Sequence, residues 1–187
     1  MTHLTRRAFT FSALAAVPAL SACSGNGYGN NGAATIDARV DATLAQMYQE
    51  FPGTRDLSNK AAGMLVMPLL TEAGFGLGGG YGRGALRVGG TTVDYYSATR
   101  ASAGLQIGAQ QYTHVLFFMT QAALQDFRMN DGWAAGADAE IVFNNLGETL
   151  RAETTTSLSP VIAVIFAQAG LRVGATIEGL KYSRIIP

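Results

Sequence analysis

Glycine occupies every second position from Gly74 to Gly84, six in all. Phe75, Leu77, Gly79, Tyr81 and Arg83 stand between them, and Ala85 follows. A period of two is strand geometry, in which alternate side chains point to opposite faces. One face of this strand, formed by Gly74, Gly76, Gly78, Gly80, Gly82 and Gly84, therefore carries no side chains. Glycine weakens a strand, so a regular row implies that something approaches that face closely or that the sheet bends sharply there. A helix backbone, a second sheet layer or an acyl chain fits such a space. Gly74 to Gly79 also matches GxGxxG. That motif needs a helix directly after it, and glycines continuing to Gly84 exclude one, so the dinucleotide reading is rejected.

The N-terminus reads as an export signal. Arg6 and Arg7 precede an uncharged, Ala- and Leu-rich stretch from Ala8 to Ala22 that contains Pro18. A basic start, an apolar middle and small residues before a cleavage point make a secretory signal. The run is shorter than the ~20 residues of a membrane span. Thr5-Arg6-Arg7-Ala8-Phe9 resembles the twin-arginine export signal. Leu20-Ser21-Ala22-Cys23 resembles the lipobox of bacterial lipoproteins, where small side chains flank the scissile bond and a thiol carries the acyl chains, palmitate among them. Cys23 is the only cysteine in the chain. The expectation is a signal peptide over residues 1–22, a lipid anchor on Cys23, and a location on the bacterial envelope, on the periplasmic side of the outer membrane.

Removing 22 of the 187 residues leaves 165, the size of one ordinary domain. Arg6 and Arg7 leave with the signal, so 11 basic residues remain beside 13 acidic ones. No basic excess is available to hold a nucleic-acid backbone. Charged residues make up only 14 % and hydrophobic ones 48 %, a balance that favours a packed core over disorder. His114 is the only histidine beyond the signal, which excludes metal sites built on clustered His and Cys. No cofactor is expected.

Ser24 to Thr35 is dominated by Gly, Asn and Ala and reads as a flexible tether with an r.m.s. reach of roughly 20 Å. The folded domain is expected over residues 36–187. Ile36, Val40, Leu44, Met47, Tyr48 and Phe51 recur at spacings of three and four, predicting a helix from Ile36 with Thr35 as N-cap and Asp37 at its positive end. Its acidic residues, Asp37, Asp41 and Glu50, outnumber Arg39, which argues for docking on the core rather than on lipid. A short helix over residues 56–62 and a strand over 63–67 stopped by Pro68 follow. The glycine strand turns at Gly89-Gly90 and returns over 91–96. Further strands are predicted over 101–109, 113–119, 134–143, 161–168, 171–178 and 180–186, with a hairpin turn at Ala169-Gly170. A helix over 120–128 is capped by Thr120 and turns Ala123, Leu124 and Phe127 inward. The fold class is α+β: an antiparallel, β-rich sheet, curled or closed into a barrel, with a few packed helices.

These segments together resemble the SYLF domain family. The resemblance rests on Lys60-Ala61-Ala62-Gly63 running to Pro68, on Ala73 to Ala85, and on Tyr95-Tyr96. It continues in Gly104 to Gln110, Phe118-Met119-Thr120, Gly132-Trp133 and Glu178-Gly179 to Arg184. It implies a compact β-rich domain with packed helices that binds phospholipid, phosphoinositides in eukaryotic members, and that performs no catalysis.

Among side chains that could meet a lipid headgroup, cations reaching phosphate oxygens come first. Lys60, Arg83, Arg87, Arg100, Lys181 and Arg184 lie inside the resembling region, and Arg83 stands out because it backs onto the glycine face. His114 precedes an apolar run, which suits a core or edge histidine better than a catalytic base. Asp138 and Glu140 share one strand face and read as a solvated face rather than a catalytic pair. The sequence shows no nucleophile elbow, metalloprotease helix or phosphate loop. The first functional reading is a non-enzymatic, phospholipid-binding envelope lipoprotein. The second is an envelope structural or protein-interaction module that uses lipid only as an anchor, with its protein partner unknown. The third is a hydrolase of lipid or envelope polymer.

Overall fold

The computed structural model describes residues 31–136, 141–145, 159–170 and 177–187. The signal, Cys23, Asp138, Glu140 and most of the strand predicted over 171–178 lie outside them. Among the described residues there are three helices, α1 (Asn31–Glu50), α2 (Thr54–Lys60) and α3 (Gln121–Met129). The strands are β1 (Gly63–Val88), β2 (Thr91–Phe118), β3 (Trp133–Ala134), β4 (Ile141–Asn145), β5 (Val161–Gly170) and β6 (Lys181–Ile185).

The fold is built on one long ribbon. β1 and β2 pair antiparallel from Val88↔Thr91 to Gly63↔Phe118, joined by Gly89 and Gly90 at φ of 56° and 82°. Those left-handed angles suit a two-residue hairpin turn. The ribbon doubles over in its middle, where the register slips between Phe75 and Leu77. The free edge of β2 then recruits different partners on either side of the bend. Tyr95 to Thr99 pairs with β6, and Gln110 to Phe118 pairs with β5. β3 extends the sheet beyond β6, and β4 extends it beyond β5. The result is an α+β fold with a sheet curled into a half-barrel, as expected.

Two apolar clusters fill the two sides of this sheet. The concave side collects Leu65, Met67 and Leu70 from before the bend and Leu86, Tyr96 and Ala98 from after it. α3 plugs its open side with Leu124 and Phe127. Phe127 stacks 4.7 Å from Phe118 and 5.3 Å from Trp133, which lies 5.9 Å from Tyr182. Thr120 caps α3, accepting a hydrogen bond from the Ala123 amide at 3.1 Å. On the convex side, α1 and α2 lay Ile36, Val40, Met47 and Leu57 over Val66, Val115, Phe117, Ile162 and Phe166. β5 is thus buried on both faces, which explains its unbroken apolar run.

Several boundaries differ from the sequence reading. α1 begins at Asn31, so Thr35 lies inside the helix rather than capping it, and the last residues of the expected tether are helical. Gly32 there packs against Pro187, a tertiary contact that local composition does not reveal. Pro68 does not end β1. It sits at a register shift between Met67 and Leu70, where its missing N–H breaks no ladder bond, and its carbonyl accepts from Thr113 Oγ1 at 2.7 Å. The strands predicted over 91–96, 101–109 and 113–119 are one strand, β2. The strand predicted over 134–143 is divided: Gly136, at φ 83°, turns the chain after β3 pairs with β6, while β4 joins β5. β4 runs parallel to β5, the one departure from antiparallel pairing among the described strands. Nor is there a turn at Ala169-Gly170, since both residues pair with β2.

Candidate functional site

The glycine face meets the ribbon's own first half. A side chain at Gly82 would strike the Leu69 carbonyl oxygen at 2.6 Å, and one at Gly84 would overlap the Val66 carbonyl and press Met67 Sδ at 2.5 Å. At Gly80 the obstacle is the Glu72 side chain, 2.8 Å away at Cγ, and at Gly74 it is the Gly78 backbone at 2.8 Å. Gly76 lies at the bend itself, between the slipped pairs. The expected second layer is therefore β1 itself, folded back so closely that only hydrogen fits between the two runs of backbone.

Close approach inside drives bulk outside. Phe75 is 81 % exposed, Leu77 78 % and Tyr81 54 %. Together they form an apolar ridge along the bend. Beside it lies a groove of about 830 Å³, bounded by the N-terminal turns of α1 and by β1 on either side of the bend. Ile36, Leu69 and Tyr81 supply its apolar wall, Gly79, Gly80 and Gly82 leave its floor open, and Arg39 and Arg83 stand on its rim. Among the described residues neither arginine makes an ion pair.

The other cations proposed from sequence are placed elsewhere. Arg87 bonds Asp41 at 2.6 Å, lies 3.8 Å from Asp37 and donates to the Gly90 carbonyl at 3.0 Å, locking α1 onto the hairpin. Asp37 also accepts from Thr92 Oγ1 at 2.7 Å and Tyr95 Oη at 2.8 Å. The carboxylates of Asp37 and Asp41, which outweighed Arg39 in the sequence, are thus engaged within the fold, and Arg39 keeps its charge toward the groove. Arg100 pairs with Glu72 at 3.0 Å and donates to the Glu178 carbonyl. Arg184 lies 3.5 Å from Asp94. Lys60 is exposed at the end of α2, and Lys181 is exposed on β6. The structure brings none of these five to the groove, and of the sequence candidates only Arg83 lines it. Arg39 was missed as a binding residue. Its position three after the buried Ile36 was the available signal, hidden by a charge count that ignored pairing.

Inside the curl, polar groups tie the halves of the ribbon together. Glu72, buried on β1, accepts from Tyr112 Oη at 2.7 Å, Gln110 Nε2 at 2.7 Å and Arg100 Nη1 at 3.0 Å. His114 is completely buried, with Nε2 2.8 Å from Tyr182 Oη. Desolvation lowers its pKa to about 3 and raises that of Tyr182 well above the ordinary phenol value. His114 is the core histidine the sequence suggested. Among the described residues no group of three His, Cys, Asp or Glu side chains could hold a metal ion, and no helix is long and apolar enough to cross a membrane.

Residues 99–184 match a family model described as Ysc84, Las17-binding protein actin regulator. Over this stretch the chain is similar to the Ysc84 (SYLF) domain family. The match bears out the resemblance drawn from sequence. It runs from within β2 through α3 into β6, whereas every residue lining the groove precedes it. No curated protein matches the chain.

Proposed function

We propose that this chain is a non-enzymatic phospholipid-binding lipoprotein of the bacterial envelope, exported through a twin-arginine signal and anchored by acyl chains on Cys23. The observation that carries the reading is the groove. Two arginines without ion-pair partners among the described residues stand on its rim, over a wall of Ile36, Leu69 and Tyr81. A phosphodiester suits the guanidinium pair, which offers planar, charge-assisted donors. The first methylenes of an acyl chain suit the wall below. The ionisable groups that approach one another serve the fold, Glu72 with Arg100 and His114 with Tyr182 inside the curl, Arg87 with Asp37 and Asp41 at the hairpin, and Arg128 and Arg184 with Asp94, which supports a binding role over catalysis. The family description speaks of Las17 binding and actin regulation. Carried over to this chain, it supports the alternative of a protein-interaction module.

Vesicle sedimentation separates the two readings. The full chain carrying Cys23→Ser is expected to sediment with phosphatidylglycerol vesicles, more weakly at high salt. Arg39→Ala with Arg83→Ala is expected to weaken that binding about tenfold or more, the scale of two charge-assisted contacts. A chain that stays in the supernatant with every lipid composition sinks the phospholipid reading.

A further inference from the structure

Phe75, Leu77 and Tyr81 pose a question that folding alone does not answer. Two of the three are about four-fifths exposed, Phe75 and Leu77 on either side of the bend, with Leu69 a further 44 % exposed. Large apolar side chains left this exposed within seven residues of one strand mark an interaction surface rather than ordinary surface scatter. The glycine face explains why these side chains cannot turn inward. It does not explain why they are large, since Ser or Thr would satisfy the same backbone.

We infer that this ridge is a membrane-insertion edge: Phe75 and Leu77 enter the acyl boundary of a phospholipid bilayer, Tyr81 sits at headgroup level, and Arg39 and Arg83 meet the phosphates behind it. The inference deepens the phospholipid reading and rests on it. Three observations choose a bilayer over a protein partner. First, the chemistry is graded along β1, from wholly apolar Phe75 and Leu77 through amphipathic Tyr81 to cationic Arg83. That gradient matches the acyl, interfacial and phosphate layers of a lipid surface. Second, the cations beside the ridge have no ion-pair partners among the described residues, while the acidic side chains Asp37 and Asp41 on the same helix are bonded to Arg87, Thr92 and Tyr95. The charge presented with the ridge is therefore positive, as an anionic surface requires. Third, Gly32 lines the groove, so the chain enters the domain at this side. Cys23 lies nine residues earlier. A fully extended chain of that length spans at most about 30 Å. An acyl anchor on Cys23 would thus tether the domain from this side, within about 30 Å of the bilayer.

The test uses the full chain with Cys23→Ser, so that no acyl anchor contributes, and vesicles of equal parts phosphatidylglycerol and phosphatidylcholine. Phe75→Trp places a reporter on the ridge, read against the buried Trp133, which is only 1 % exposed and does not change. The reporter's emission is expected to shift to the blue on vesicles and to be quenched by lipids brominated on the acyl chain. Val93→Trp, on the return strand beyond the hairpin, is expected to do neither. Phe75→Ser with Leu77→Ser is expected to weaken partitioning on the order of a hundredfold, with an unchanged melting temperature. If the Phe75→Trp chain sediments with vesicles while its reporter emission stays water-like, the ridge is overturned and the groove reading stands. Failure of the Cys23→Ser chain to bind any vesicle overturns both. A blue shift without vesicles that grows with protein concentration overturns the inference in favour of self-association.

Discussion

The two halves of β1 follow opposite rules. Before the bend, Leu65, Met67 and Leu70 point into the core while Met64 and Val66 pack under α1, so bulk is buried on both faces. From the bend onward glycine faces inward, and Phe75 just before it and Leu77, Tyr81 and Arg83 after it face out. The same strand, with the same ladder of hydrogen bonds to β2, reverses the usual distribution within about ten residues. The difference teaches that exposure here is set by backbone separation rather than by hydrophobicity. Where the ribbon lies against itself there is no interior volume for a side chain, so the glycine row presents its bulk outward until Ala85 and Leu86 return to the core.

The largest effect should come from filling that contact. Gly84→Val would drive its Cβ into the Val66 carbonyl, which cannot retreat without moving the first half of β1, and press the Met67 sulfur as well. A loss of at least ~3 kcal/mol is expected, with a clear fall in melting temperature. Gly80→Val meets side chains rather than backbone, Glu72 Cγ at 2.8 Å and Arg100 Cβ at 3.4 Å, and should cost less. Equal stability of the two variants, or wild-type stability of Gly84→Val, would remove close approach as the cause of the inversion.

Next in size is the response to acid, which reports the polar links between the halves. His114 stays neutral in the fold down to a pKa of about 3, below the ordinary 6.5 of the unfolded chain. Stability is therefore fully present above about pH 6.5 and is lost as pH falls toward 3, since only the unfolded state takes the proton. The slope approaches ~1.4 kcal/mol per pH unit. Denaturant melts between about pH 6.5 and 5, where most carboxylates are still ionised, isolate it. A flat profile there, or an unchanged slope in His114→Gln, would show that His114 is not the group responsible.

The smallest effects distinguish two arginines four positions apart. Arg87 locks α1 to the hairpin, so Arg87→Ala should destabilise by about 1 kcal/mol. Arg83→Ala should leave stability within ~0.5 kcal/mol and act only on vesicle binding. If the melting temperatures fall together, Arg83 belongs to the scaffold and the groove loses half its cationic rim.

Much of the fold was legible because it is local. Alternating glycines announced a featureless strand face, Thr120 announced a helix start, and the spacing from Ile36 to Met47 announced the buried stripe of α1. What stayed hidden depends on partners distant in the chain. Pro68 looks like a strand end until the bulge opposite Thr113 accommodates it. The division of the strand predicted over 134–143 follows from β6 and β5 capturing its two ends. The candidate site was half legible for the same reason. Arg83 could be named from its place opposite the glycines, whereas Arg39 emerged only when Asp37 and Asp41 were seen to answer Arg87.

The two-residue turn at Gly89-Gly90 also dictates an order of assembly. Partners in the ribbon are three residues apart beside the turn, at Val88 and Thr91, and grow steadily farther apart toward Gly63 and Phe118. Each pair is therefore brought within reach by the one before it, and the closure entropy of a 56-residue segment is met in small steps rather than at once. Doubling over comes last, because the glycine contacts exist only between halves already zipped. Strain placed at Gly84 should accordingly leave the refolding rate nearly untouched and quicken unfolding, a division that stopped-flow kinetics on Gly84→Val reads directly. The row of glycines, on this view, is less a part of the nucleus than the latch that keeps a finished hairpin closed.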